Sequence, residues 1–588
     1  MFDRAGKMPW ACGKGRSQIH LREVHFSSGR LIVTMLTMFK SKSSFPIRDI
    51  LGVFLVATIP LVNYLKNAEY SLVSPEILII YGLILIQAFI FAYLMIPGGA
   101  PLRVFIYGAL AVLVVDVQTD WITTIGLRLL LNILFFGGLF WILRRRLTSF
   151  IIVVAGAVLL STLVLPGGDG VVRMGEPGPR PDDDPDLPFI LHLILDEHIG
   201  VEGIPAEFDP EGRYSTSLRE FYLDQDFAVY GRAYSRYLAT QESVPNLLNF
   251  SSSGDPGYFF DGGFHPNVLL ENNAWFDLLH DRGYRIHVME NNFMRFFDPG
   301  DHGSNPHGDT RLHYYWRSLK SVEMLDVHPA KKVPFLLGGF FKRSYFLSRI
   351  QGAYSNIQSS QRASGFLPSL EVIVEFPGQK TTLDALGILE EQLQGAGPGQ
   401  VFFAHILLPH TPYGLGPDCG FELRPDKWLS NYDRKLIPRF NTPESRALRY
   451  PLYLDQVSCL QSRLEHMFQI LRDKGLWDDC MIILHGDHGA RICQWVPDAY
   501  AAEKVLPTDY LDCFSTLFVV KSPDIAPGYF RNMLPLDHLF TRLMRDERLP
   551  DDPVLEASPW VYFQHKDIVL EKHPMPHFAK GKIISGSP

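Results

Sequence analysis

A chain of 588 residues with a net charge of −8 is longer than one domain usually is and lacks the basic footprint of a nucleic-acid-binding protein. Its mean hydropathy of +0.04 is high for a soluble protein, and most of the apolar excess lies before residue 166. None of the six cysteines forms a CxxC pair, which argues against a zinc ribbon or a thioredoxin-like site.

Residues 1–48 are mostly polar, lack a signal-peptide pattern and read as a cytoplasmic tail, with Met35 and Met38 as alternative starts. Five apolar segments follow, roughly 50–65, 72–96, 104–117, 121–143 and 149–165, and together define a transmembrane domain over 49–165. The second and fourth are long enough to cross a bilayer, since about 20 apolar residues suffice. The third is short and carries Asp116 in its last turn, so a re-entrant or interfacial segment is its alternative. Lys40, Lys42, Arg48, Arg103 and Arg144–Arg146 fall on one side if all five segments cross, and that side should be cytoplasmic. An odd number of crossings then places everything after Leu165 outside the cytoplasm. Asp116 and Arg128 lie near the outer ends of neighbouring segments, where they can pair or snorkel to the interface.

Residues 166–188 are rich in Pro, Gly and Asp and read as an extended linker. After it, from 189 to 588, strand patterns alternate with helical ones. Phe189–Leu195, Phe227–Tyr234, Tyr284–Met289, Val401–Leu408, Cys480–His485 and Ser515–Lys521 are the strand candidates. The clearest helix runs from about Leu448 to Lys474, with Leu454, Val457, Leu464, Phe468 and Leu471 on one face and Gly475 at its C-terminal cap. This alternation predicts an α/β fold, a mainly parallel sheet sandwiched by helices. Five cysteines fall in this part (Cys419, Cys459, Cys480, Cys493 and Cys513); an odd number leaves at least one thiol unpaired within it.

In such sheets ligands bind beyond the carboxyl ends of the strands. Asp196-Glu197-His198 follow the first strand, His405 lies in the "VFFAHILL" strand with Pro409-His410 after it, and His485-Gly486-Asp487-His488-Gly489 end another. A single His or Asp there is an ordinary loop residue. Three clusters of carboxylate and imidazole at one sheet edge suit a divalent ion such as zinc, manganese, magnesium or calcium. The segment "TQESVP" places Thr240 at the start of a helix, where free backbone N–H groups favour an anionic oxygen; helix capping is the plain alternative for Thr240 and Ser243.

These residues, taken in order, resemble the sulfatase-like branch of the alkaline phosphatase superfamily. The nearer likeness is to its membrane-anchored phosphoethanolamine and phosphoglycerol transferases, which include lipoteichoic acid synthases. "LILDEH" resembles the first strand ending in an acidic ligand, with Asp196 the best fit and Glu197 its neighbour. "TQESVP" resembles the transferases' nucleophile segment. "HILLPHTPY" has the two histidines five apart, and "GLWDDCMIILHGDHG" resembles the segment that delivers an Asp-His metal pair, here Asp487 and His488. A sulfatase's formylglycine motif is absent at this position, and no His occurs between His488 and His538, unlike several transferases.

The resemblance implies a metal held by Asp196, Asp487, His488 and Thr240, with Thr240 also the nucleophile. It implies His405 or His410 as proton donor or acceptor-positioning group, and His410 against the substrate anion. Where the sequence departs from the family by lacking the later His, Arg491 reads as an exposed surface residue, with contact to the anion as the alternative. The implied reaction moves the head group of a membrane phospholipid to a glycan or lipid acceptor of the cell envelope, with the catalytic domain periplasmic and the chain multi-pass in the inner or plasma membrane. The alternatives are a phosphodiesterase or phosphatase using water, and a non-catalytic lipid-sensing domain.

Overall fold

The computed structural model describes residues 46–67, 70–118, 125–164, 184–255, 268–270, 272–291, 293–296, 310–313, 318–342, 378–424, 427–433, 440–545, 558–564 and 570–584. The expected tail, most of the expected linker and the Arg128 side chain lie outside them.

Four apolar helices open the chain: α1 (Ile47–Asn67), α2 (Pro75–Gln118), α3 (Ile125–Ile142) and α4 (Leu147–Val164). Three stretches are long and apolar enough to cross a membrane among the described residues, Ile47–Asn67, Pro75–Asp116 and Leu147–Val164; Leu131–Ile142 is a shorter one. Five separate segments were expected. The second and third follow one another within α2 as two helices that meet at a non-helical Gly99. The helix breaks at Gly99 (φ 58°, ψ −148°), between Pro97 and Pro101. Gly reaches this conformation at little cost, and Pro101 then sits in the first turn of the second half, where its missing N–H is harmless.

One end of this bundle is tied by charge. Arg103 pairs with Asp49 at 3.0 Å, and Thr148 Oγ1 donates to Asp49 at 2.6 Å. At the other end the Lys66 ammonium donates to the Thr162 carbonyl. α1 and α4 therefore run in the same direction.

Beyond residue 184 the core is an eight-stranded sheet. In chain order its strands are β1 (Ile190–Leu195), β2 (Ala228–Tyr230), β3 (Arg285–Glu290), β4 (Thr310–His313), β5 (Gln400–Ile406), β6 (Met481–His485), β7 (Phe518–Lys521) and β8 (Gly528–Phe530). They lie in the spatial order β8-β2-β7-β6-β1-β5-β3-β4. Only β7 is antiparallel to its neighbours β2 and β6; the other pairings are parallel. The expected mainly parallel α/β sheet is therefore the observed one.

The remaining helices used below are α5 (Arg213–Leu223), α6 (Thr240–Leu248), α7 (Ala274–Asp281), α8 (Pro329–Lys342), α9 (Gly378–Leu393), α10 (Pro443–Asp473), α11 (Pro507–Phe514) and α12 (Leu536–Met544). Alternation along β1 explains the layering. Leu191, Leu193 and Leu195 join the core shared with α9 and α10, and Ile190 and Ile194 join the one shared with α6, α7 and α12. Helices thus cover both faces of β1, and a Leu193→Ala change there costs about 2–5 kcal/mol.

Element ends differ from expectation where polar chemistry decides them. α10 starts five residues before the expected Leu448, because Thr442 caps it by accepting from Ser445 N at 3.1 Å and Pro443 occupies the first turn. Its far end turns at Gly475 (φ 68°). The β2 strand stops at Tyr230, and Tyr234 makes only isolated bridges to Ser515 and Pro535. β4 and β8 have short sequences without apolar alternation, which leaves no pattern to find.

Cys419 and Cys459 form a disulfide, while Cys480, Cys493 and Cys513 are buried thiols. A separate apolar cluster joins Leu61, Tyr64 and Leu65 of α1 and Ile77 and Ile80 of α2 to Phe335 and Leu336 of α8 and to Trp428.

Candidate metal centre

The register of the sheet brings the site together. His405 of β5 and His485 of β6 both stand opposite Ile194 of β1, so the residues that follow these strands emerge at one edge. Asp196 N–H donates to the Ile406 carbonyl at 3.0 Å, which fixes the Asp196 side chain at the first position beyond β1.

The loop after β6 packs too closely for side chains at two places. A Cβ on Gly486 would lie 2.5 Å from the His198 carbonyl, and one on Gly489 would lie 2.3 Å from the Asp512 carbonyl. Glycine at both positions lets Asp487 and His488 reach the centre. Asp487 Oδ1 accepts from Glu197 N at 3.1 Å and from His488 N at 3.0 Å. His488 Nδ1 lies 3.0 Å from the Gly489 carbonyl, which acts only as an acceptor, so the ring proton is on Nδ1 and Nε2 keeps its lone pair.

That nitrogen lies 3.1 Å from Asp487 Oδ2 and 3.9 Å from Asp196 Oδ1. One ligand atom each from Asp196, Asp487 and His488 lie within 4.8 Å of one another, and all three residues are buried. Asp196 Oδ1 and Asp487 Oδ2 are buried without a hydrogen-bond partner. Buried polar atoms are rarely left so. Two unsatisfied carboxylate oxygens and an imidazole lone pair are a donor set for a divalent cation, and the residues fit one.

The electrostatics agree. Burial, then the Asp196 charge, pushes the Asp487 carboxyl up to about 6. Burial also acts to raise Asp196, but His410, His405 and His488 outweigh it and hold that carboxyl below the usual range. Two carboxylates confined together without a cation repel, and a bound cation relieves this.

Thr240 begins α6, after Ala239 in an extended conformation (φ −132°, ψ 149°). Its hydroxyl is buried and lies 3.4 Å from His488 Nε2. Ser243, one turn on, donates to the Asp487 carbonyl at 2.6 Å and lies 3.2 Å from Ser235 Oγ. The two hydroxyls of "TQES" thus have different surroundings: Thr240 faces the cluster and Ser243 ties the helix to the loop.

Four predicted residues therefore converge: Asp196, Thr240, Asp487 and His488. His405 stands behind them. Asn291 Nδ2 lies 3.2 Å from His405 Nδ1, which accepts from it, so Nε2 carries the proton and donates to Asp196 Oδ2 at 3.2 Å. His405 has no exposed surface, like the cluster residues it stands behind.

Glu197 lies apart from the cluster, although the sequence offered it as a ligand. Its Oε1 accepts from Arg491 Nε at 2.9 Å and from Asn431 Nδ2 at 2.8 Å, and Oε2 accepts from Thr411 N at 3.2 Å. Arg491 is one-quarter exposed rather than a free surface residue, and its Nη2 meets the same carboxylate at 2.5 Å. His410 completes this group, 3.7 Å from Glu197 Oε1 and also one-quarter exposed. Burial pulls its pKa down, but Glu197 and Asp196 outweigh that and raise it.

Asn291 and Asn431 were missed. Asn291 directly follows β3, so the residue-after-the-strand argument could have found it. Asn431 sits in an irregular segment with no such signal.

No family model matches the chain, and no curated protein matches it. Solved structures do. A putative sulfatase, yidJ, from Bacteroides fragilis has 14% identity and a TM-score of 0.37 over 69% of this chain and 90% of that one. The phosphonate monoester hydrolase of Agrobacterium radiobacter has 12% identity and a TM-score of 0.35 over 64% of this chain and 80% of that one. The C-terminal periplasmic domain of EcEptC from Escherichia coli, in complex with zinc, has 12% identity and a TM-score of 0.34 over 66% of this chain and 93% of that one. The solved structures to which this chain is similar include sulfatases, phosphonate monoester hydrolases and a zinc-bound periplasmic domain.

Proposed function

We propose that this protein is a metal-dependent, membrane-anchored phosphotransferase. It moves a phospholipid head group, phosphoethanolamine or phosphoglycerol, to a glycan or lipid acceptor of the cell envelope through phospho-Thr240. The observation that carries the reading is the Thr240 hydroxyl, 3.4 Å from His488 Nε2 and beside two buried carboxylate oxygens that lack partners.

Asp196, Asp487, His488 and Thr240 would hold the ion, and Asn291 and His405 would orient Asp196. A bound divalent ion supplies a lowered hydroxyl pKa and neutralises phosphoryl charge. Thr240 stands at the first position of α6, where the helix dipole favours the negative charge that develops on its oxygen. Thr240 Oγ1, as the alkoxide, bonds to phosphorus, and the bond from phosphorus to the diacylglycerol oxygen breaks. His410 keeps its proton more readily than a free imidazole, is partly exposed, and gives that proton to the leaving oxygen. An acceptor hydroxyl then gives its proton back to His410 and attacks phosphorus, and the bond from phosphorus to Thr240 Oγ1 breaks to leave the alkoxide.

The reading places residues 1–48 in the cytoplasm, 49–165 in the inner or plasma membrane as a multi-pass domain, 166–188 as a linker and 189–588 in the periplasm. The Cys419–Cys459 disulfide supports an oxidising compartment for that last part. Purified full-length protein should release diacylglycerol from vesicles of phosphatidylethanolamine or phosphatidylglycerol in a metal-dependent way. A head group recovered only as the free phosphate monoester would replace the transferase by a hydrolase. No diacylglycerol from either vesicle would remove the donor assignment.

A further inference from the structure

An open groove of about 430 Å³ lies between α10 and the loop that follows His410, within the range of about 300–1,000 Å³ that ligand sites have. Leu415, Phe421 and Leu423 of the loop line it together with Leu452 of α10. The loop folds back on itself as a hairpin. Leu415 pairs with Phe421, Gly416 N–H donates to the Gly420 carbonyl at 2.9 Å, and Glu422 N–H donates to the Gly414 carbonyl at 2.9 Å. The Cys419–Cys459 disulfide ties the hairpin to α10, so both walls of the groove are fixed to each other.

One wall of the groove continues into the apolar spans. Phe421 packs against the sheet core and also against the cluster built from α1, α2 and α8. Its ring lies 5.3 Å from that of Trp428, which stacks on Phe335 of α8 at 6.1 Å. Trp428 Nε1 donates to the Glu422 carbonyl at 2.7 Å. Phe340 of α8 in turn meets Tyr64, near the end of α1, at 5.7 Å. Shortly before α8, Glu323 Oε1 accepts from Ser71 N at 3.2 Å, and Ser71 lies in the short connection from α1 to α2. The groove therefore adjoins the place where these two helices end.

The other wall continues toward the site. Tyr413 lines the groove three residues after His410. Gln456 of α10 is fully buried and holds the whole turn. Its Nε2 donates to the Pro409 carbonyl at 3.0 Å and to the His410 carbonyl at 3.2 Å. Its Oε1 accepts from Gly414 N at 2.9 Å and from Leu415 N at 3.3 Å. His410 and the groove wall are thus held as one piece.

We propose that this groove takes the glycerol and one acyl chain of the phospholipid donor. The inference rests on the proposed reading in which the donor is a membrane phospholipid. An apolar wall that is continuous with α1 and α2 lets the chain leave the bilayer without exposing its methylenes to water, which is the costly step in lifting a lipid. Leu448, one turn before Leu452 on the same face of α10, is 65% exposed and extends the wall. The charges at the groove do not favour a free phosphate. Glu422 is paired with Arg424 at 3.0 Å, and Lys427 and Asp455 carry opposite signs. Such a lining suits the neutral part of an amphiphile, and it starts beside the residue that protonates the diacylglycerol oxygen in the proposed reaction.

The test uses full-length Thr240→Ala protein, which leaves the donor uncleaved, in vesicles of phosphatidylethanolamine and phosphatidylglycerol. A trace of either lipid carries a diazirine midway along one acyl chain. After irradiation the protein is digested and the adducts are mapped by mass spectrometry. The expected map shows adducts on the peptides bearing Phe421–Leu423 and Leu452 as well as on α1–α4. The groove adducts should fall at least severalfold in Leu448→Asp and in Leu452→Asp, while those on α1–α4 stay. Leu448 is exposed, so its change leaves the fold intact, and wild-type metal content checks the fold of Leu452→Asp. Adducts confined to α1–α4 with both lipids, or groove adducts that neither substitution lowers, overturn the groove. Diacylglycerol release by the wild-type protein is measured beside this. Release without groove adducts removes the groove and leaves the proposed reaction standing. Groove adducts without release remove the reaction and leave the groove as a phospholipid site.

Discussion

His405 Nε2 lies 3.2 Å from Asp196 Oδ2, with Asn291 closing the far side of the ring at 3.2 Å. This arrangement fixes the ring proton on Nε2 and aims Asp196 Oδ1 at the cluster. Partners of this kind are worth roughly 10–100-fold in metal affinity. His405→Ala should weaken zinc binding by about that factor, measured by competition with a chromogenic chelator. His405→Gln, which keeps an N–H donor, should recover part of it. Unchanged affinity in His405→Ala would mean Asp196 is oriented by something else.

The ligands themselves should separate binding from folding. Asp487→Asn keeps the oxygen that accepts from Glu197 N and His488 N and removes a charge that burial and Asp196 disfavour. The metal-free variant should therefore melt at or above the wild-type temperature. Wild type gains about 2.7 kcal/mol when the ion is at 100 times its Kd, and the variant should show no such metal-induced rise. A metal-free variant that melts well below wild type would contradict the repulsion argument.

Glu197 and Arg491 make the opposite prediction. Glu197 is fully buried and Arg491 is its closest cation. Removing one partner of a buried pair costs about 3–5 kcal/mol. Arg491→Ala should be destabilised by about that much while its metal content stays at the wild-type level, read by denaturation and elemental analysis. Loss of metal from Glu197→Gln without loss of stability would return Glu197 to the ligand set.

Much of the site was legible because β-strand ends advertise themselves. Asp196, Asp487 and His488 follow apolar runs directly, and Thr240 precedes a helical pattern. What the sequence could not give was partnership. Nothing in "DEH" says that Asp196 faces the ion while Glu197, in a left-handed conformation (φ 63°), turns to Arg491. The break between the second and third membrane segments was legible too, because Pro97, Gly99 and Pro101 interrupt the apolar run where Gly99 leaves helical geometry.

The His192–His485 pair predicts an acid limit to stability. Their Nε2 atoms are 2.9 Å apart in the core. Burial, then His485, holds His192 well below its usual 6.5, and burial holds His485 at about 4. Both rings are neutral when folded, whereas the unfolded chain takes up protons near 6.5. Their contribution is full above that pH and is lost as pH falls from about 6.5 toward about 4, at up to about 1.4 kcal/mol per unit per group. His192→Gln keeps a donor to His485 but cannot titrate, so its melting temperature should fall less steeply between pH 7 and 5 than that of wild type. An equal slope would show that His192 is not part of the acid response.

The central claim is the covalent role of Thr240, and Ser243 is its neighbour for comparison. Loss of a helix-start hydroxyl costs about 1 kcal/mol of stability, whereas loss of a nucleophile removes several orders of magnitude in rate. The direct measurement is mass spectrometry of the full-length protein after rapid quenching with phosphatidylethanolamine or phosphatidylglycerol vesicles. The account predicts a peptide spanning Thr240 heavier by the phosphoethanolamine or phosphoglycerol group, with the modification on Thr240, absent in Thr240→Ala and present in Ser243→Ala. A modification on Ser243, or turnover that continues in Thr240→Ala with no modified peptide, would contradict it.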